Sequence, residues 1–461
     1  MQTKYIFPLA VGCFMLSSCG IYTTYRPTEQ VPDGLIGAQA DSLLMAEADS
    51  SSLGFIPWQE LFTDPQLQVL IDQALNNNTD YLSSQQRVKE AEATLLSAKL
   101  AYLPSLALAP QGTVSSFDGM KATQTYQLPV AASWELDLFG RMRNAKRQSQ
   151  ALLAQSQDYQ QAVRTQLIAG VANTYYTLLM LDEQLRISRE TEASWAESVR
   201  STRALMQAGM ANESAVAQME AAHYQVKASV LDLEEQLNQV ENSLSLLLAE
   251  TPRKHERGSL GDTEFSMDFT IGLPLQLLSA RPDVRSAERS LEAAFYGTNA
   301  ARSAFYPQIS LSGTAGWTNS AGSLIANPGK TLVTAVAGLT QPLFAQGKLT
   351  GQLKIARAKQ EEARLAFQQT LLNAGVEVNE CLTALQTCRQ KRSLLDKQVA
   401  SLQTALRSTE LLMEHGNTTY LEVLTAKQSL LQAQLSQTAN RISEIQSIIN
   451  LYQSLGGGSN D

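Results

Sequence analysis

The stretch Tyr126-Gln127-Leu128-Pro129-Val130-Ala131-Ala132-Ser133-Trp134-Glu135-Leu136-Asp137-Leu138 alternates apolar and polar residues with a period of two. Successive side chains of a β-strand point to opposite faces, so this period predicts a strand with one apolar, aromatic face. Ile309, Leu311, Gly313, Ala315 and Trp317 alternate in the same way with Ser310, Ser312, Thr314, Gly316 and Thr318. With residues 106–116 and about 332–341, this predicts four strands in two hairpins. Each strand has roughly the 9–11 residues that a tilted membrane strand needs. A half-buried sheet in a soluble protein is the competing reading. Four strands cannot close a barrel, and an open edge in lipid leaves backbone groups unpaired, so a membrane sheet requires several chains. Three chains give about twelve strands, an even number within the observed range for outer-membrane barrels.

The strands recur because the chain is duplicated. AKLAYLPSLALAPQG at 98–112 is answered by ARSAFYPQISLSGTA at 301–315, with Pro104 on Pro307. Phe139 then matches Phe344, Ala169-Gly170-Val171 matches Ala374-Gly375-Val376, and Met206-x-x-Gly209 matches Met413-x-x-Gly416. A repeat of this length is an organising unit. The expected segments are a signal peptide at 1–18, a lipidated tether at 19–56, a first repeat at 57–260 and a second at 261–461.

Each copy contains a long stretch without proline, between Pro129 and Pro252 and again after Pro342. Proline inside a helix costs about 3 kcal/mol, so these stretches predict continuous helices. They read as helical hairpins, about 141–207 then 212–250 and about 348–414 then 419–455, reversing at Gly209 and Gly416 as helix C-caps do. An arm of that length is about 100 Å long at 1.5 Å per residue. Shorter helices are expected from Asp64-Pro65 onward, over 80–102, and from Pro282-Asp283. The fold class is therefore mostly α, with long helical hairpins and a small β part.

At the N-terminus, Lys4 precedes an apolar run from Ile6 to Leu16, followed by Leu16-Ser17-Ser18-Cys19-Gly20. This resembles a bacterial lipobox, which implies cleavage after Ser18 and acylation of Cys19. Gly20 in place of Asp favours the outer membrane. Cys381 and Cys388, seven residues apart, would lie roughly 10 Å apart along a helix. That is too far for a disulfide, and buried thiols are expected.

Several functions are excluded. The net charge is −8 and no Lys/Arg cluster offers a phosphate-neutralising face, which argues weakly against nucleic acid. His223, His255 and His415 are scattered without metal-ligand spacing, and no nucleotide-binding or nucleophile-elbow motif is present. Glu234-Glu235 and Glu361-Glu362 read as solvated helix faces. No enzyme and no cofactor beyond the lipid on Cys19 is expected.

The chain resembles the TolC-like outer membrane factor family in its lipoprotein branch. The resemblance is carried by Cys19, Trp58-x-x-x-Phe62-x-Asp64-Pro65-x-Leu67, Ala74-Leu75-x-Asn77-Asn78, Leu138-Phe139-Gly140-Arg141, Arg281-Pro282-Asp283-Val284, Tyr306-Pro307 and the turns at Gly209 and Gly416. It implies a homotrimer with a twelve-stranded barrel joined to a periplasmic helical tunnel. It further implies docking of the hairpin tips on a periplasmic adaptor linked to an inner-membrane transporter, and export of small toxic compounds such as drugs or metals. A type I protein-secretion duct shares that architecture, and a coiled-coil scaffold lipoprotein without a pore is the alternative from another class. The family closes its tunnel with charged residues just beyond the second turn. Glu422 stands at one position where relatives carry an aspartate, Thr425 stands at another, and Gln428 replaces a frequent arginine with Lys427 beside it. Glu213, after the first turn, offers a further acidic group. Glu422, Glu213, Thr425 and Lys427 are thus the candidate periplasmic gate, although a carboxylate in a helix's first turn is equally expected from the helix dipole alone.

Overall fold

A computed structural model describes residues 24–26, 56–262, 281–318, 330–415 and 418–457. The signal peptide, Cys19, nearly all of the tether and Gly416 lie outside the described residues. Two short helices come first, α1 (Trp58–Leu61) and α2 (Pro65–Asn77). Asp64 caps α2 by accepting the Gln66 N–H at 2.9 Å, and Pro65 fills the first helical position, where its missing N–H costs nothing. Asn78 then caps α3 (Thr79–Leu100), its side-chain oxygen accepting the N–H groups of Asp80 and Tyr81.

From α3 onward the same elements occur twice. The first set is α3, strands β1 (Ser105–Leu108), β2 (Gln111–Ser115) and β3 (Thr123–Leu136), α4 (Arg141–Gln207) and α5 (Glu213–Leu247). The second is α6 (Pro282–Ser303), β4 (Gln308–Thr318), β5 (Lys330–Thr340), α7 (Lys348–Glu414) and α8 (Tyr420–Ser454). Both α3 and α6 have 22 residues, α4 and α7 have 67, and α5 and α8 have 35. The two long arms run over the residues expected from the proline-free stretches. The return arms are shorter than expected because Asn212 serves as an N-cap, accepting the Ala215 N–H at 2.8 Å, and Leu248 as a C-cap. Equal helix lengths also move one sequence match. Val171 falls on Val378, both fully buried, rather than on Val376, which is exposed.

The first turn closes as the glycine requires. Gly209 has φ 75°, a conformation that costs an L side chain about 1–2 kcal/mol. The Met210 N–H reaches back to the Leu205 carbonyl at 2.8 Å and the Gly209 N–H to Met206 at 3.0 Å, satisfying carbonyls that the helix end leaves free.

By its internal contacts the chain divides into two compact units. One comprises residues 1–29, 86–158 and 285–369 and holds the sheet. The segment expected as a single strand at 106–116 is divided into β1 and β2, because Pro110 interrupts the ladder without shifting its register. The strands pair antiparallel in the order β1 and β2 on β3, β3 on β4, β4 on β5, so the two hairpins join through β3 and β4. Register sets Leu128 opposite Trp317, Val130 opposite Ala315, Trp134 opposite Leu311 and Ile309 opposite Leu339, which gathers most of the apolar residues onto one face. That face is open, with Leu108 69% and Val333 72% exposed. The opposite face is mostly Ser, Thr, Gln and Gly, with Leu332 and Val336 of β5 among them.

The other unit comprises residues 30–85, 159–284 and 370–461. Its core includes Trp58, Phe62, Leu67, Ile71, Ile168, Leu178 and Tyr452, all essentially inaccessible. Phe62 meets Tyr452 edge to face at 6.2 Å, and the Tyr452 hydroxyl donates to the Ile56 carbonyl at 2.8 Å. Arg257, bonded to Asp182 and Glu241, and Arg281, bonded to Asp283, Glu377 and the Ser454 carbonyl, pair the buried charges that would otherwise be costly.

Candidate functional site

The candidate gate residues follow the two turns, where α4, α5, α7 and α8 begin or end. Trp195 and Val199 of α4 pack with Met219, Ala222 and Val226 of α5, and Tyr420, Leu424 and Leu431 of α8 rest on this cluster. The apolar spacing of the helices therefore ties the first hairpin to the return arm of the second.

Four side chains were candidates, and their surroundings differ. Glu213 and Glu422 are exposed in the first turns of α5 and α8. There a negative charge is favoured by the free N–H groups of the helix start. The Thr418 hydroxyl donates to the Glu422 carboxylate. Thr425 is exposed and its hydroxyl donates to the Leu421 carbonyl one turn back, at 2.8 Å. Lys427 is different, being only 8% exposed. Its ammonium donates to Ser194 Oγ at 2.9 Å and Ser198 Oγ at 2.7 Å, lies 3.4 Å from Glu410 Oε1, and stands 5.9 Å above the Trp195 ring. One buried cation thus fastens α8 to both α4 and α7. Sequence reasoning named Lys427 but none of these partners. Ser194 and Ser198, one helical turn apart on either side of a tryptophan, were the available signal.

A second polar cluster lies where α5 ends. The His255 ring is buried, with Nε2 at 3.1 Å from Ser245 Oγ and 3.5 Å from Glu250 Oε1, and Arg257 donates to its carbonyl. Glu250 is held by Arg253 and by Gln73 of α2. Burial lowers the His255 pKa from its ordinary 6.5, outweighing the opposing pull of Glu250. A histidine kept neutral in the folded protein binds fewer protons than in the unfolded chain. Its stabilisation is therefore complete above about pH 6.5 and declines as the pH falls below it. Melting temperature measured between pH 8 and 5 should drop across this window in the wild type and drop less in His255→Gln; equal slopes would exclude His255 as the cause.

Among the described residues no group of three or more His, Cys, Asp or Glu is arranged to hold a metal ion. Cys381 and Cys388 are free and buried, as their spacing implied, and burial pushes the Cys381 thiol up to about 11. No described helix is long and apolar enough to cross a membrane.

The family profile for outer membrane efflux proteins matches residues 70–250 and 273–457. Cation efflux system protein CusC of Escherichia coli strain K12 is 29% identical over 457 residues, covering 98% of this chain and 99% of that protein. Probable outer membrane lipoprotein SilC of Salmonella typhimurium is 30% identical over 455 residues, covering 96% of this chain and 97% of SilC. A crystal structure of CusC, described in terms of folding and transmembrane channel formation, superposes with a TM-score of 0.86 at 27% identity, over 95% of this chain and all of that one.

Proposed function

Because the chain belongs to the outer membrane efflux protein family and serves as an outer-membrane channel of an efflux system, we propose that it works as a homotrimer. Each copy contributes four strands to a twelve-stranded barrel, anchored by a lipid on Cys19. Its hairpin tips, at Gly209 and Gly416, dock on a periplasmic adaptor joined to an inner-membrane transporter. Cargo passes without chemistry. The supporting observation is the sheet: one face is predominantly apolar and largely open, and among the described residues β5 and the β1–β2 edge pair on one side only. Exposed strand edges beside an apolar face are costly in water and impossible in lipid unless paired with further strands. Mass measurement in detergent should give three copies, and planar bilayers should show discrete conductance steps. A stable, non-conducting monomer would overturn the proposal.

The cargo reading is small toxic solutes, cations among them, supported by the description of CusC as a cation efflux system protein. Restoration of tolerance to toxic metal cations in a host lacking its own exit duct tests it, and full assembly without any gain in tolerance would point to organic compounds instead.

At the periplasmic end, Lys427 is the proposed latch, and the two exposed first-turn carboxylates are charges favoured by the helix starts alone. Glu422→Ala should leave single-channel conductance at the wild-type value. A rise of about twofold or more would return the gate to Glu422.

A further inference from the structure

The net charge of the chain is negative, with 36 Lys and Arg against 44 Asp and Glu. One region inverts that balance. Strand register brings the start of β1, the end of β3, the start of β4 and the end of β5 to the same end of the sheet. The stretches that leave this end, residues 97–103, 134–147, 300–307 and 340–359, hold ten Lys and Arg and only two Asp and Glu. Both acids are engaged. Glu135 pairs with Arg141, and the Asp137 carboxylate accepts the N–H groups of Met142 and Arg143, capping α4.

The sign of charge at the helix starts is unusual as well. Helices α3, α5, α6 and α8 each carry an acid in the first turn, as the positive helix start favours. Helices α4 and α7, the two that descend from the sheet, carry none and instead open with Arg141, Arg143 and Lys348. At α4 the Asp137 carboxylate answers the helix field, whereas α7 opens on Lys348 with no acid in its first turn, and an external anion suits that start.

Aromatic residues fix the level at which that anion would sit. Phe139 stacks on Tyr306 at 5.2 Å, and Trp134, on the apolar face, donates its indole N–H to the Tyr102 carbonyl at 2.8 Å. Leu343 and Phe344 are 95% and 86% exposed. Such rings gather where hydrocarbon gives way to headgroups. Lys146 stands 5.9 Å over the Tyr102 ring, which connects the basic residues to the apolar side of the sheet. Lys99, Arg302, Lys348 and Lys354 are exposed next to this belt.

We infer that the junction between sheet and long helices is a binding surface for anionic phospholipid headgroups of the periplasm-facing leaflet, set just below an aromatic belt. The inference rests on the outer-membrane channel reading. Phosphate groups at this level neutralise the excess cations, and long Lys and Arg side chains reach upward to them while their stems stay on apolar surface.

Native mass spectrometry of the full-length protein in detergent doped with equal amounts of phosphatidylglycerol and phosphatidylcholine tests it. The wild type should retain phosphatidylglycerol over phosphatidylcholine by on the order of fivefold per engaged cation, less at high salt. The triple variant Arg302→Gln/Lys348→Gln/Lys354→Gln should lose the preference, and the charge-keeping triple Arg302→Lys/Lys348→Arg/Lys354→Arg should keep it. Equal retention of both lipids by the wild type, or an undiminished preference in the glutamine variant, overturns the inference. Conductance of the same wild-type preparation separates the two readings: a conducting protein without lipid preference refutes the headgroup surface alone, and a lipid-selective protein without conductance refutes the channel.

Discussion

Gly316→Ala is expected to abolish assembly of the channel. A Cβ at this position would stand 2.2 Å from the Leu128 carbonyl oxygen and 2.6 Å from the Pro129 Cα. Those are backbone atoms of the neighbouring strand and cannot swing aside. The approach is close because Gly316 faces Pro129 across the β3–β4 pair, the seam that joins the two copies of the duplicated unit. Pro129 has no N–H to give to the ladder, while its carbonyl accepts the Ala109 N–H on the other side at 3.0 Å. Separating β3 from β4 to admit a methyl group therefore strains both flanking pairs. Overpacking costs typically about 1–3 kcal/mol where side chains can relax, and this site lies at or above the upper end of that range. Gly112→Ala is the matched control, since nothing lies within 4 Å of its added Cβ. Heat-resistant trimer on gels and conductance in bilayers should disappear in Gly316→Ala and persist in Gly112→Ala. Wild-type conductance in Gly316→Ala would show that the two strands do not meet as described.

Lys427→Met is expected to release the tip. Methionine retains most of the volume and removes the ammonium that joins Ser194, Ser198 and Glu410. A hydrogen bond to a charged group contributes about 1.5–3 kcal/mol, and the partial exposure of Glu410 places the loss toward the lower figure. The apolar cluster beneath, with Trp195 at its centre, remains to hold the fold. The consequence is then a looser attachment of α8, read as a rise in single-channel conductance of about twofold or more, with Lys427→Arg close to wild type because it keeps the charge. Unchanged conductance in Lys427→Met would assign the lysine to stability alone.

Most of the architecture was legible in the residues because its causes are local. Absence of proline marked the stretches that hold α4 and α7, the glycine turns marked where they end, and the period of two marked β3 and β4, since each signal depends only on neighbours along the chain. What was not legible depended on distant partners. The break between β1 and β2 is set by Pro110, whose effect on a ladder appears only once the opposing strand is known. The two serines that hold Lys427 lie more than two hundred residues away along the chain, and Glu422, selected for its position after a turn, is exposed in the first turn of α8 with Thr418 as its partner. The basic surface at the sheet–helix junction depends on distance along the chain in the same way, being assembled from four separate stretches, of which only 141–147 is dense in cations by itself.

The matched lengths of the helices have a consequence for how this chain can change. A residue inserted in an unbroken α-helix turns everything beyond it by about 100°, so a single insertion in α4 would swing its buried side outward for the rest of its length. The two copies are offset by 203 residues at the starts of α3 and α6, and by 207 at the starts of both long helices and of both return arms. All four residues of difference therefore accumulated among the strands and their connections, where loops absorb them. The helical arms keep count like the teeth of paired gears, and the length difference between the two copies is confined to the strands and their connections.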